Sequence, residues 1–166
     1  MAEEVASFVQ TTSAQLYRTA LLLTGDHHLA EDLTQTTYTK VFVGWKKVQK
    51  AGNPVGYTRT ILMNTFLSHR RLRRSGETPG RAADLTETLA DRGTSDADPS
   101  TRVDLLAALA QLSPTDRAVL VARYWEDRSI TEAAHDLGLT ETAVRTRAKR
   151  AIDRLRPLVR DLEGIL

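Results

Sequence analysis

Residues 129–155, SITEAAHDLGLTETAVRTRAKRAIDRL, constrain this chain most, because Gly138 divides two short amphipathic helical patterns. Ser129 followed by Glu132 forms a capping box, which satisfies two backbone donors that a helix start otherwise leaves unbonded. The helix it opens, 130–137, is expected to stop at Gly138, since glycine takes the left-handed backbone of a helix end without a Cβ penalty. Leu139 reads as a buried turn residue and Thr140 as the cap of a second helix. The inner face of that helix is Ala143, Val144, Ala148, Ala151, Ile152 and Leu155. Small Ala134 opposite Val144 lets the two helices cross closely. Ala134, Gly138 and Val144 at this spacing are the print of a helix-turn-helix. Its outer face carries Arg145, Thr146, Lys149 and Arg150, with Arg147 beside them, the composition of a DNA-reading helix.

Net charge is only +2 over 166 residues, so the distribution of charge matters more than its sum. Residues 57–75 hold five arginines (Arg59, Arg70, Arg71, Arg73, Arg74) and no acid. Residues 76–99 hold six acids against two arginines, and 140–160 hold seven bases against two acids. Two basic patches flanking an acidic spacer is the pattern of two nucleic-acid contacts on one tether.

The chain has no cysteine, which excludes disulfides and thiolate metal sites. Its start, MAEEVASFVQ, is acidic and lacks an apolar signal core. The longest apolar run, around Ala20 to Leu23, is too short to span a membrane. A soluble, cytoplasmic protein with no membrane partner is therefore expected. No nucleophile–base pair, phosphate-binding glycine loop or paired carboxylates are visible, so neither an enzyme nor a cofactor is expected. His27, His28, Glu31 and Asp32 read as a polar helix start, since no further ligands converge on them to make a metal site.

In chain order, residues 4–24 place Val5, Phe8, Val9, Leu16, Ala20 and Leu23 along one side of a helix. Thr24, Gly25 and Asp26 supply a stop, a turn and a new cap. A second helix from about 27 to 47 buries Ala30, Leu33, Thr37, Val41, Trp45 and Val48. Asp32, Gln35, Thr36 and Thr39 form a polar stripe on its other side. Asn53-Pro54 opens a third helix, 55–74, which is expected to bury Tyr57, Ile61, Leu62 and Phe66 before turning basic. Residues 75–100 read as a flexible acidic linker. A helix at 101–111 follows, then Ser113-Pro114 opens another at 115–125, with Asp116 favouring its positive end. Trp45 and Trp125 read as core anchors, and the basic helix after Thr140 trails past Pro157. No strand pattern is present. The fold class is all-α: a helical bundle at 1–75, a linker at 76–100, and a helix-turn-helix domain at 101–166, each domain small enough to be marginal alone.

Three segments in this order resemble the extracytoplasmic-function (ECF) sigma factors of bacterial RNA polymerase. LAEDLTQTTYTKVFVGW resembles the family's second-helix signature. GYTRTILMNTFLSHRRLRR resembles the segment that reads the minus-10 element, and LSPTDRAVLVARYWEDRSITEAAHDLGLTETAVRTRAKRAIDRLR the domain that reads the minus-35 element. The match covers nearly all the chain apart from the linker and the ends. Met63 and Thr58 stand where many members carry Arg and Leu, and Ala148 where a bulkier apolar residue is usual.

The resemblance implies roles for named residues. Asp32 and Gln35, with Thr36 and Thr39, would dock on core RNA polymerase. The loop Lys46 to Asn53 with Asn64 would hold a flipped base of single-stranded minus-10 DNA, Tyr57 would be a further minus-10 contact, and Arg70, Arg71, Arg73 and Arg74 would meet its phosphates. Arg145, Thr146, Arg147, Lys149 and Arg150 would meet duplex minus-35 DNA. An anti-sigma factor is the implied regulator. The physics fits these roles: arginine bonds guanine bidentately, lysine adds salt-dependent affinity, and an extruded base needs a polar and aromatic pocket. The rival reading is a free-standing helix-turn-helix regulator, which gives no reason for the basic helix 57–74 or the Asp32/Gln35 stripe. A third class is an adaptor that binds polymerase but no promoter.

Overall fold

The structure, a computed structural model, describes residues 1–73 and 99–158. Residues 76–98 of the expected linker lie outside the described residues, as do 74–75 and 159–166, whereas its last two residues, Pro99 and Ser100, already belong to a helix. Every described element is helical, as the sequence pattern predicts.

Helix α1 (Ala2–Thr24) ends at Gly25, whose φ of 68° is the left-handed stop, and Asp26 at once caps α2 (His27–Val43) by accepting from the Leu29 amide at 3.0 Å. The second helix is shorter than expected. It breaks at Gly44, and the chain re-enters helix as α3 (Trp45–Lys50). The break turns Trp45 and Val48 inward, where with Val5 and Val41 they form a small core. Phe8 packs tilted on Trp45 there, ring centroids 5.4 Å apart.

Helix α4 (Pro54–Arg73) starts on Asn53, whose Oδ1 accepts from the Gly56 amide at 3.0 Å. A Cβ on Gly56 would lie 2.9 Å from Asn53 Nδ2, so a larger residue there would push the capping amide aside. The expectation that α4 buries Tyr57 is wrong: Tyr57 is 40% exposed and its neighbour Thr58 is buried instead. The inward face runs through Thr58, Leu62, Thr65 and Phe66, the i, i+4, i+7, i+8 series, and Tyr57 lies one residue out of that phase. Met63, Thr58 and Ala148, the three departures from the family pattern, are all core residues.

The second half comprises α5 (Pro99–Ala110), α6 (Pro114–Leu120), α7 (Ile130–Leu137) and α8 (Glu141–Leu155). Ser113 caps α6 as expected, but the helix does not run on unchanged to Trp125. Residues Val121–Trp125 form a π turn, closed by the Glu126 amide donating to Val121 O at 3.0 Å. A π turn admits one residue more than an α turn, which rotates everything after it. As a result Trp125, expected in the core, is 40% exposed, while the Glu126 side chain is turned inward. Helix α8 ends at Leu155 and does not trail past Pro157 as expected: Arg156 keeps helical backbone (φ −50°, ψ −48°) and donates to Ile152 O at 3.0 Å, but Pro157 has no N–H with which to continue the ladder.

The two halves share one core. Leu16, Ala20, Leu23, Leu62 and Phe66 of the first pack in one cluster with Leu106, Leu109, Val119, Ala133 and Val144 of the second. Arg117, 5% exposed, sits in this seam. It donates to Leu109 O (2.8 Å), Leu112 O (2.9 Å), Ala110 O (3.3 Å) and, across the seam, Leu23 O (2.6 Å). It thereby meets the carbonyl ends of α1 and α5, where helices leave acceptors unbonded and carry negative partial charge.

Candidate nucleic-acid interface

The helix-turn-helix forms as the sequence dictates. Ser129 and Glu132 exchange both capping-box bonds at 3.0 Å, and those bonds hold the Glu132 carboxyl below the usual carboxylate range. Gly138 takes φ 67°, and the Thr140 hydroxyl accepts from the Ala143 amide. Leu139 is half-buried and not fully buried. Val144, Ala148, Ala151 and Leu155 are buried, with Ala143 and Ile152 at the margin.

On the other side of α8 the five candidate DNA contacts divide into two groups. Arg145, Thr146 and Lys149 are exposed; Arg145 has one long ion pair, 4.0 Å to Glu141 one turn back. Arg147 and Arg150 are drawn aside to Asp116 on α6, a residue only 3% exposed. Arg147 Nη1 donates to Asp116 Oδ1 at 2.7 Å. Arg150 donates through Nε at 3.3 Å and through Nη2 to both oxygens at 3.1 and 3.2 Å. Burial pushes the Asp116 carboxyl up, but the hydrogen bonds and charges of Arg150 and Arg147 outweigh it and hold the group below its ordinary value.

Asn53, Tyr57 and Asn64 are all exposed, and Tyr57 and Asn64, seven residues apart, share one face of α4. Arg70, Arg71 and Arg73 lie in the last turns of the same helix, and Arg74 is outside the described residues. Beside that face runs the seam with the second half. Arg59 Nε pairs with Glu126 Oε2 at 2.6 Å, and Thr19 donates to Glu126 Oε1. Thr60 donates to Asp136 at 3.1 Å, and Arg128 Nε pairs with the same carboxylate at 2.8 Å. The hydrogen bond to Asp136 leads the causes that raise the Arg128 pKa, so this guanidinium stays charged.

Along α2, Asp32, Gln35 and Thr39 are exposed and Thr36 half-buried. The stripe then runs into Phe42 and Val43, 49% and 81% exposed. Sequence reading missed this apolar end, although Phe42 at i+7 from Gln35 and Val43 at i+7 from Thr36 could have shown it. His27 is occupied on both ring nitrogens, by Tyr17 OH at 2.5 Å and Glu31 at 3.2 Å. Among the described residues no group of three His, Asp or Glu side chains converges as metal ligands would, and no helix is long and apolar enough to cross a membrane.

Comparison with known proteins agrees with this layout. Residues 8–76 match the family model for sigma-70 region 2, and residues 108–157 that for sigma-70, region 4. The chain is 32% identical to the RNA polymerase sigma-E factor of Streptomyces coelicolor, across 97% of this chain and 90% of that one. It is also 32% identical to the ECF RNA polymerase sigma factor SigL of Mycobacterium tuberculosis, across 90% and 85%. The chain belongs to the ECF sigma factors. The fold is similar to that of the sigma factor RpoE from Bartonella quintana, solved in complex with the anti-sigma factor NepR, with TM-score 0.71 and 23% identity over 96% of this chain and 98% of that one.

Sigma factors are non-enzymatic initiation proteins that bind core RNA polymerase and promoter DNA. In this sigma factor, region 2 corresponds to the bundle of α1 to α4, and region 4 to the last part of α5 through α8. The seam therefore joins the two regions directly, through Arg59, Thr60 and Leu23 on one side and Glu126, Asp136 and Arg117 on the other.

Proposed function

We propose that this sigma factor binds core RNA polymerase, recognises a minus-35 and a minus-10 element, and promotes melting of the start site. The observation that carries the reading is that Tyr57 and Asn64 are exposed on one face of α4 while their neighbours Thr58 and Met63 are buried. A solvent-facing aromatic and amide on an otherwise packed helix offer stacking and a base-edge hydrogen bond, which an unstacked base requires. Asn53 at the cap would join that face, and Arg70, Arg71, Arg73 and Arg74 would meet phosphate.

Helix α8 would read the minus-35 duplex, with Arg145, Thr146 and Lys149 outermost and Arg147 and Arg150 beside them. Asp32, Gln35, Thr36 and Thr39, continued by Phe42 and Val43, would dock on the polymerase. A polar stripe with an apolar end suits a protein partner better than solvent alone. An anti-sigma factor that covers both DNA faces is the corresponding regulator.

Run-off transcription with core polymerase on a genomic fragment library tests the reading. Promoter-specific transcripts that depend on this chain are expected. Co-elution with core but no transcript would leave only an adaptor, and binding to DNA without co-elution would point to a free-standing regulator.

A further inference from the structure

Asp116 is expected from sequence only to favour the positive end of its helix, yet it holds two of the five candidate DNA contacts of α8. We propose that Asp116 is a positioning residue that sets minus-35 specificity: its buried carboxylate fixes Arg147 and Arg150 in one geometry and converts two loose cations into oriented donors. The inference rests on the reading that α8 enters the major groove.

Four observations place the carboxylate. Its own amide donates to Ser113 Oγ, the cap of the helix, at 3.2 Å, so Asp116 is fixed at the start of α6. Its side chain is only 4% exposed, while those of Arg147 and Arg150 are 33% and 54% exposed. The arginines therefore reach in to it and it does not reach out to solvent. Arg150 spans both carboxylate oxygens, the fork geometry that fixes a guanidinium in plane as well as in distance. Arg147 and Arg150 lie one turn apart, so one carboxylate serves both.

Two consequences follow. The carboxylate cancels about one of the two positive charges, which lowers attraction to any phosphate backbone regardless of sequence. It also leaves the outward guanidinium N–H groups of Arg150 aimed in a fixed direction, the condition for a bidentate contact to a base edge. A fixed donor discriminates between bases; a mobile cation does not.

The test uses the holoenzyme, full chain plus core polymerase, and a duplex pool randomised over the minus-35 position. Binding to the selected duplex and to a scrambled one is compared as a function of salt. Asp116→Asn is expected to lower the ratio of selected to scrambled binding about tenfold, the scale of one well-placed arginine–guanine pair. It should strengthen scrambled binding at low salt and steepen its salt slope by about one unit. In an Arg147→Ala/Arg150→Ala background Asp116→Asn is expected to leave the ratio almost unchanged, because both residues it positions are gone. An unchanged ratio in the single variant, or equal losses with and without the two arginines, overturns the proposal. Asp116→Glu, which keeps the charge but displaces it, should lower the ratio without steepening the slope, and serves if the Asn variant does not fold. Arg145→Ala separates the two levels: no effect of that change on either duplex would mean that α8 does not read DNA at all.

Discussion

Arg59 and Glu126 meet at 2.6 Å across the line where regions 2 and 4 touch, with their side chains 14% and 5% exposed. The pair exists because a π turn at Val121–Trp125 rotates Glu126 inward, where Thr19 also donates to it. A buried carboxylate with two donors is satisfied only while the halves are together, so the seam is electrostatically specific as well as apolar.

Removing one partner of this pair should therefore cost more than removing both. Glu126→Ala is expected to destabilise the chain by about 3 kcal/mol, since it strands Arg59. The double variant with Arg59→Met should lose less than the sum of the singles. Urea unfolding of the four proteins in a double-mutant cycle measures this, and additive losses would show that the pair is not coupled.

Arg117 offers a harsher version of the same experiment. Four carbonyl oxygens at the ends of α1 and α5 and beyond take their hydrogen bonds from its guanidinium. Arg117→Met should cost about 3 kcal/mol or more, because those buried acceptors lose a charged donor. Lysine should recover only part of it, having no planar fork. The midpoint of chemical denaturation is the readout.

For promoter melting, Asn64→Ala should abolish open-complex formation, followed by reactivity of unpaired thymines, and leave binding to core polymerase intact. Tyr57→Ala should weaken melting by about tenfold, within the range of one lost stacking contact. Equal loss of melting and core binding would remove the base-capture role.

Polymerase docking should respond to a different face. Asp32→Arg with Gln35→Ala is expected to weaken binding to core about 10–100-fold, the cost of truncating central interface contacts. Phe42→Ala should weaken it by a smaller factor, and neither change should alter thermal stability by more than about 0.5 kcal/mol, because all three side chains are exposed. Co-elution with core and thermal melts of the free chain check the two halves of this expectation.

Acid should loosen the helix-turn-helix through two carboxylates. Asp116 and Glu132 both titrate below their ordinary values of 3.8 and 4.5 in the folded chain. Their contribution is complete above those ordinary values and is lost as pH falls through the lower folded ones. Thermal stability carried by these groups should therefore be flat from neutral pH to about 5 and fall below about 4.5, and Asp116→Asn should blunt the fall.

Much of this fold was legible because it is written in local chemistry. Capping pairs such as Ser129 with Glu132, stops such as Gly25 and Gly138, and the Asn53-Pro54 start act within a few residues, so spacing alone locates them. The buried side of α2 was equally readable, since Ala30, Leu33, Thr37 and Val41 repeat with the helix period. The basic outer face of α8 followed from the same periodicity.

What tertiary structure decided has the opposite character. Tyr57 and Thr58 are adjacent, and only the helices packed on α4 select which one is buried. The π turn that exposes Trp125 and buries Glu126 has no signature in composition, and without it Arg59 has no partner across the seam. Arg117 and Asp116 look like surface residues in sequence because nothing local distinguishes a charge that will be solvated from one that will be enclosed. Their partners lie up to 94 residues away, at Leu23, and 31 and 34 residues away, at Arg147 and Arg150. The sequence by itself determined the helices, their ends and the class of protein; packing determined which charges hold the halves together and which arginines of α8 are held in place.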